Sequence, residues 1–250
     1  MKAIILAAGY ATRLYPLTLN KPKALLKVQG KAIIDYILAQ INTVPDIDRI
    51  FVVSNHKFAN QFYDWAATAE TGIPVKILDD GTVDEAGRLG AIGDIAYVLD
   101  HEHIDDDIVI IAGDNLFTFP LTEYRQFFAD KNADCVCVQR ISDKEACKQL
   151  GIALLDDTGR VIDMEEKPAA PKSDCAVFAT YMYKRETIPL IKQYLDEGNK
   201  PDAPGFFVSW LYKRKPVYAY IMNGKCYDIG THEALKSSYK LQVTSYKQSE

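Results

Sequence analysis

Short runs of apolar residues alternate along the chain with longer segments in which apolar residues recur every three or four positions. The short runs are Ala3–Leu6, Ile50–Val53, Val75–Leu78 and Ile108–Ala112, and the longer segments between them are Ile33–Ile41, Phe58–Ala69 and Ala91–Leu99. An unbroken short run is typical of a strand buried on both faces, whereas the longer spacing is typical of an amphipathic helix. The alternation therefore predicts an α/β fold with a mainly parallel sheet covered by helices on both faces.

The second half of the chain continues this alternation more loosely. The predicted strands are Cys135–Gln139, Ile152–Leu155, Val161–Met164, Ala176–Met182 and Val217–Met222, and the predicted helices are Arg185–Asp196 and His232–Val243. We find no internal repeat and no linker rich in Pro, Gly or Ser that would divide the two halves. We therefore expect one continuous domain over residues 1–250.

Composition limits the classes of partner. Of 250 residues 48% are hydrophobic, a fraction that excludes a disordered chain. The 29 basic and 34 acidic side chains give a net charge of −5, which argues against binding to nucleic acid or an anionic membrane. No apolar run approaches about 18 residues, and the first one is too short for a signal peptide, so we expect a soluble, cytoplasmic protein. The odd number of cysteines without a CxxC pair predicts reduced thiols, at Cys135, Cys137, Cys147, Cys175 and Cys226.

The first predicted strand leads into small residues, in the segment Leu6-Ala7-Ala8-Gly9-Tyr10-Ala11-Thr12-Arg13. Small side chains let backbone N–H groups approach an anion, so this turn is a candidate phosphate-binding loop. The segment matches neither the Walker A motif nor GxGxxG. An ordinary tight turn is the alternative.

Two lysines follow within about a dozen residues, at Lys21 and Lys23 in the segment Asn20–Leu26. Together with Arg13 they concentrate positive charge beside the turn in an otherwise acidic protein. This favours binding of a polyphosphate over the alternative that both lysines are merely solvated.

Three further segments carry acidic residues at the ends of predicted strands. Asp114 follows the buried strand 108–112, where a carboxylate is suited to bind Mg²⁺ that is also coordinated by substrate phosphates, although a helix cap or Asx-turn is the alternative. Glu166 and Lys167 could bind hydroxyls and a second phosphate or form a surface ion pair. Asp228 precedes a Gly-Thr turn in which Thr231 could simply cap the last helix.

In order along nearly the whole chain, the segments LAAGYATRLYPLT, NKPKALL, GRLGAIGD, AGDN, MEEKP and YDIGT resemble the motifs of the sugar-1-phosphate nucleotidylyltransferase family. The resemblance implies a three-layer, Rossmann-like fold of the GT-A type with a mixed, mainly parallel sheet. It implies an Mg²⁺-dependent enzyme that joins an NTP (dTTP, UTP or CTP) to a sugar-1-phosphate by in-line attack on the α-phosphorus. Residues 1–115 would form the nucleotide-binding half, and residues 116–250 the sugar-binding half with the last helix.

The resemblance also assigns roles to single residues. Residues 6–13 would wrap the nucleotide phosphates, with Arg13 and Lys23 on the departing pyrophosphate. The segment from Gly87 through Gly90 to Ala91 would contact the base. The two metal ligands would be Asp114 and Asp228, and the substrate-binding residues Asn115, Gly151, Glu166 and Lys167. The implied catalytic set is Arg13, Lys23, Asp114, Lys167 and Asp228.

The chain departs from the family pattern at three positions. Ala11 replaces a glycine and so should need an ordinary φ, Arg88 stands where small or apolar residues are commoner, and Tyr227 replaces a tryptophan. We expect no appended C-terminal domain. The base, the sugar and the state of self-association stay open, because related enzymes are often dimers or tetramers and a homo-oligomer is compatible with the sequence.

Three other functions have to be weighed. A cytidylyltransferase acting on a non-sugar acceptor, such as phosphocholine or a phosphonate, is the main alternative. A catalytically silent sensor of nucleotide sugars is disfavoured, because such proteins typically lose the metal aspartates or the leaving-group cations. A GT-A glycosyltransferase would need an Asp-x-Asp sequence, where this chain has only Asp114 followed by Asn115.

Overall fold

The computed structural model describes residues 1–238 of the chain. Its strands are β1 (Lys2–Leu6), β2 (Lys27–Val28), β3 (Lys31–Ala32), β4 (Arg49–Ser54), β5 (Val75–Asp79), β6 (Ile108–Ala112), β7 (Asn115–Phe117), β8 (Asp134–Arg140), β9 (Gly151–Leu155), β10 (Val161–Glu166), β11 (Cys175–Tyr183), β12 (Val217–Ile221) and β13 (Cys226–Asp228). Its helices are α1 (Ile33–Ile41), α2 (Ala59–Ala66), α3 (Ala91–His101), α4 (Leu121–Lys131), α5 (Lys144–Cys147), α6 (Ile188–Asp196), α7 (Pro204–Leu211) and α8 (His232–Ser238). Short 3₁₀ turns occupy Thr12–Leu14, Lys23–Leu25 and Arg185–Thr187.

A nine-stranded mixed sheet forms the centre of the molecule. Four strands are parallel, in the order β6-β1-β4-β5. The strand β11 pairs antiparallel with β6 and extends the sheet into the second half of the chain. One edge of β11 also pairs with β9, which pairs with β10, and its other edge pairs with β8, which pairs with β12. The predicted fold class, a mainly parallel α/β sheet with added strands, is confirmed.

Helices cover both faces of this sheet because the buried strands are apolar on both sides. In β1, Ala3 and Ile5 lie in one core with α1, α2 and α4, whereas Ile4 lies in the other core with α3, α6 and α7. All three β1 residues are fully buried. Alternate residues of one strand therefore stabilise two separate layers, as the period of a strand requires.

A third, smaller core lies beside the sheet. It joins Leu14 after the Gly-containing turn, Leu116 of β7, and Ile229 and Leu235 from the last part of the described chain. Here β7 and β13 form a separate antiparallel pair. This core fixes the segments that follow β1, β6 and β13 relative to one another.

The structure differs from the predicted elements mainly at segments with little periodicity. Ile33–Ile41 and Ile108–Ala112 match α1 and β6, and the predicted helix 185–196 begins as a 3₁₀ turn. The helices α4 and α7 were not predicted. Of the predicted helix His232–Val243, the residues after 238 lie outside the described part of the chain. No helix in the described part is long and apolar enough to cross a membrane.

Candidate active site

The four parallel strands bring their carboxyl ends to one edge of the sheet, where ligands bind in open α/β folds. The turns after β1, β5 and β6 surround a cleft of about 340 Å³ at this edge. Of the residues in the predicted site segments, eleven line the cleft: Leu6, Ala8, Gly9, Tyr10, Ala11, Thr12, Arg13, Arg88, Gly90, Ala91 and Asp114. Most of the predicted nucleotide-binding residues therefore share one continuous surface, whereas Ala7, Lys23 and Gly87 are not part of its lining.

The turn after β1 is held in its shape by contacts within the turn itself. The backbone of Ala11 is left-handed, with φ +49° and ψ +43°. Its carbonyl accepts hydrogen bonds from the hydroxyl of the buried Thr18 at 2.8 Å and from the backbone N–H of Leu14 at 3.0 Å. The expectation of an ordinary φ at Ala11 is thus wrong: the turn keeps the conformation that favours glycine, although a Cβ is present.

Lys23 lies between the two aspartates that the motifs single out. Its ammonium contacts the carboxylate of Asp114 and is 3.6 Å from Oδ1 of Asp228. The Lys23 side chain is only 13% exposed, so the protein itself desolvates this cation. The pKa of Asp228 is raised, first by loss of hydration and then by the facing Asp114 carboxylate, while Lys23 and Arg13 act in the opposite direction.

Backbone hydrogen bonds hold the two aspartates together across more than a hundred residues of sequence. In the β7–β13 pair Asp228 stands opposite Asn115, and the N–H of Ile229 donates to the carbonyl of Asp114 at 3.2 Å. A Cβ on Gly113 would come within 2.8 Å of the Leu6 carbonyl oxygen, so glycine allows β6 to turn closely past β1. The carboxylate of Asp114 contacts the Lys23 ammonium, and Asp114 is followed by the strand β7 rather than by a helix that it could cap.

The donor set of this cluster suits a hard divalent cation. Within residues 1–238 no group of three or more His, Cys, Asp or Glu side chains is arranged to hold a metal. Mg²⁺, however, is commonly bound by one or two carboxylates together with substrate phosphates and water. Asp114 and Asp228 already converge on one positive charge, that of Lys23, so these two residues fit the group.

Two of the four predicted acceptor residues, Gly151 and Glu166, meet at the joint between β9, β10 and α7. Oε2 of Glu166 would lie 2.9 Å from a Cβ on Gly151, and it would overlap a Cβ on Gly205, the second residue of α7. Burial raises the pKa of Glu166, which Lys167 partly offsets. The two glycines therefore make the space that the Glu166 carboxyl occupies.

Lys167 and Asn115 have unusual environments. Lys167 is exposed and left-handed at φ +52°, and its N–H donates to the Leu150 carbonyl at 3.0 Å. Asn115 is 2% exposed, and its Nδ2 has no acceptor among the described residues.

The alternative role of Thr231 as a helix cap is confirmed, because its hydroxyl accepts from the N–H of Ala234 at 3.1 Å.

The segment 87–91 packs against the loop before α7. Gly90 has φ +79°, and a Cβ there would come within 2.7 Å of the Pro201 carbonyl oxygen. The N–H of Ile92 donates to that same oxygen at 2.8 Å, and the guanidinium of Arg88 binds Asp202 at 3.0 Å. Gly87 begins this segment, in a turn capped by Asp84 at 2.9 Å.

Sequence reasoning missed part of the cleft lining, namely Asp80, Glu85, Asp94, Ala179, Asp202 and Pro204. Asp80 directly follows β5, so the rule that located Asp114 at a strand end could also have located Asp80. Asp202 and Pro204 could not be placed because α7 was not predicted.

Comparison with known proteins places this geometry in a family. The family model described as nucleotidyl transferase matches residues 2–243. The chain belongs to the nucleotidyl transferase family. The membership of a nucleotidyl transferase family that the motifs predicted is therefore confirmed.

Individual nucleotidyl transferases resemble the chain over most of its length. The bifunctional protein GlmU of Methanocaldococcus jannaschii is 28% identical over 92% of this chain and 51% of its own length. The glucose-1-phosphate thymidylyltransferase of Neisseria meningitidis is 28% identical over 94% of this chain and 80% of its own. The chain spans about half the length of the first curated relatives it matches, at 51%, 50% and 60%.

Solved structures of nucleotidyl transferases share the fold. A Bacillus anthracis protein, a candidate glucose-1-phosphate thymidylyltransferase crystallised with sucrose, is 26% identical, with a TM-score of 0.77 over 98% of this chain and 96% of that chain. A UDP-glucose pyrophosphorylase complexed with UDP-glucose has a TM-score of 0.80 at 19% identity, over 96% of this chain and 97% of that chain, and shows the fold alone.

Proposed function

We propose that the protein is an Mg²⁺-dependent sugar-1-phosphate nucleotidylyltransferase, which forms an NDP-sugar and pyrophosphate from an NTP and a sugar-1-phosphate. The observation that carries this proposal is the convergence of Lys23, Asp114 and Asp228 on the cleft edge beside the small-residue turn. Two carboxylates and a desolvated cation are what phosphoryl chemistry on a polyanion requires.

The reaction joins two anions and needs no proton transfer. An anionic oxygen of the sugar phosphate forms a bond to the α-phosphorus, and the bond from that phosphorus to the bridging oxygen breaks, so pyrophosphate leaves with the electron pair. The nucleophile carries no proton to remove at neutral pH. The protein therefore contributes positioning and neutralisation of charge rather than a general base.

The residues around the cleft divide these tasks. The turn of residues 6–13 offers backbone N–H groups to the nucleotide phosphates, and the exposed Arg13 offsets charge on the leaving pyrophosphate, together with Lys23. Asp114 and Asp228 would hold Mg²⁺. When bound, the ion supplies positive charge to the phosphate oxygens at the reacting centre.

The acceptor belongs to the second half of the chain. Glu166 lies between Gly151 and Gly205 and can accept hydrogen bonds from sugar hydroxyls, while the adjacent Lys167 can bind the acceptor phosphate. A carboxyl in a pocket made by two glycines suits a polyhydroxylated acceptor better than phosphocholine, whose cationic end carries no hydroxyl. This favours a sugar phosphate over the alternative acceptor.

The test is release of pyrophosphate with five NTPs, each combined with a panel of sugar-1-phosphates, phosphocholine and a phosphonate, with and without Mg²⁺. We expect release only with a sugar-1-phosphate and only when the metal is present. Release with phosphocholine and with no sugar-1-phosphate would refute the proposed acceptor, and full activity in excess chelator would refute the metal.

A further inference from the structure

A second pair of carboxyls lies in the cleft, on the side formed by β5 and α3. Asp80 directly follows β5, and Asp94 is in the first turn of α3; both line the cleft. In the sheet order β6-β1-β4-β5, β5 is three strand spacings, about 14 Å, from β6 and hence from Asp114. A nucleotide with its α-phosphate near Asp114 and Lys23 would extend its base toward this side.

Asp94 is a buried acid whose side chain is hydrogen-bonded to that of the neighbouring Asp80. The residue is 7% exposed, and outside this pair its Oδ1 has no hydrogen-bond donor among the described residues; the same holds for Oδ2 of Asp80. Burial, and then the neighbouring Asp80, raise the pKa of Asp94 to about 8. Both oxygens are inaccessible, and a proton shared between the two carboxyls bridges the pair. Because Asp94 lines the cleft, its remaining carboxyl oxygen offers a lone pair to a ligand.

The hydroxyls beside the pair have no proton left to donate to a ligand. The hydroxyl of Thr82 donates to Oδ1 of Asp80 at 2.7 Å. Tyr10 is therefore the donor in the 3.3 Å bond between the Tyr10 and Thr82 hydroxyls. Both hydroxyl protons are used in a chain that ends at Asp80.

The cation on this side is also engaged. Arg88 donates to Oε1 of Glu85 at 2.6 Å and to Oδ1 of Asp202 at 3.0 Å. The proton shared between Asp80 and Asp94 is used within the pair, donated by one carboxyl and accepted by the other, so the pair presents only acceptors to the cleft. The carboxyls of Asp80 and Asp94 thus form an acceptor-lined wall on the β5–α3 side of the cleft.

From this wall we infer that Asp94, with Asp80, determines which nucleotide base the protein prefers. The pair favours a base with an exocyclic amino group over a base with a carbonyl at the same position. A carboxyl oxygen accepts a hydrogen bond from an amino group, as in contacts between Asp or Glu and cytosine N4. A uracil or thymine O4 facing the same oxygen would leave two acceptors opposed. The inference rests on the proposed function, and it names a preference that the relatives cannot supply, since they include uridylyl-, guanyl-, thymidylyl- and adenylyltransferases.

The test measures nucleotide binding to the whole protein by calorimetry, without an acceptor. Two pairs exchange an amino group for a carbonyl: CTP with UTP, and ATP with ITP. In the wild type we expect at least one amino-bearing member to bind at least tenfold more tightly than its carbonyl partner. In Asp94→Asn, whose amide adds a donor, the ratio should fall at least fivefold, mainly through tighter binding of the carbonyl partner.

The matched control is Asp100→Asn, which makes the same substitution at an exposed position on the same helix and should leave the ratio unchanged. Equal or tighter binding of UTP, dTTP and ITP by the wild type would overturn the inference without any variant, even if Asp94→Asn did not fold. An unchanged ratio in a folded Asp94→Asn would overturn it too. If no nucleotide binds and no pyrophosphate is released, the proposed function fails with it; turnover that prefers UTP or dTTP refutes the base inference alone.

Discussion

Replacing Lys167 by glycine should make the protein more stable and far less active. Lys167 is held at φ +52°, where the clash of Cβ with the following carbonyl costs an L-residue about 1–2 kcal/mol. Glycine removes this cost but gives back about 0.4–1 kcal/mol through the larger freedom of the unfolded chain. The net expected gain is about 1 kcal/mol, and because Lys167 is exposed, little packing is lost.

The matched variant is Lys167→Ala, which removes the same ammonium but keeps the Cβ in the left-handed backbone. We expect both variants to lose about 10²–10³ in kcat/KM for the sugar phosphate, the usual effect of deleting one group that stabilises charge at a reacting phosphate. Only the glycine variant should gain stability, by about 2–4 °C in Tm for a chain of this size.

The assays are denaturant unfolding and a thermal melt for stability, and pyrophosphate release for activity. Equal stability of Lys167→Gly and Lys167→Ala would refute the argument that the backbone at residue 167 is strained. Activity close to wild type in both variants would refute the role of Lys167 at the acceptor phosphate. The two conclusions are independent, since one rests on Cβ and the other on Nζ.

Three other predictions follow from the same site. Ala11→Gly should raise the free energy of unfolding by about 1 kcal/mol, because it relieves a left-handed alanine. The control Ala86→Gly, at an exposed loop position, should lower the free energy of unfolding by about 0.4–1 kcal/mol. Urea unfolding compares the two variants, and a loss of stability in Ala11→Gly would contradict the strain at Ala11. Gly205→Ala should displace Glu166 and raise KM for the sugar phosphate about tenfold without changing KM for the nucleotide. The control is Gly72→Ala, whose Cβ would meet no atom within 4 Å. Parallel changes in both KM values of Gly205→Ala would refute the assignment of Glu166. Asp114→Ala or Asp228→Ala should lower kcat at least about a hundredfold with the melting profile intact, while Asp100→Ala should not; wild-type turnover in either variant would remove the metal assignment.

The sequence was most informative where one physical signal dominates. The run Ile108–Ala112 predicts only a strand that is buried on both faces, and β6 spans those residues. The helix α7, Pro204–Leu211, was missed because its sequence PGFFVSWL begins with two helix breakers and then has no polar face. Its apolar residues pack against β10 and β11 of the sheet and against the helices α3 and α6, so amphipathic spacing is absent.

Two features of the site could not be read from local sequence. The left-handed backbone of Ala11 is set by bonds to Thr18 and Leu14, and nothing in the identity of alanine signals it. The pair Asp80 and Asp94 becomes unusual only when α3 packs beside the end of β5 and removes water from both carboxyls. Burial and pairing of acids are properties of the folded chain.

The small sheet of β7 and β13 also bears on the order in which the molecule is made. The last strand of the nine-stranded sheet, β12, ends at Ile221, whereas Asp228 lies seven residues further on. On the ribosome, every strand of the large sheet is therefore synthesised before the second carboxylate exists. The segment that carries Asp228 is thus added to the chain after the scaffold strands, and it joins the molecule through β7 rather than through the large sheet.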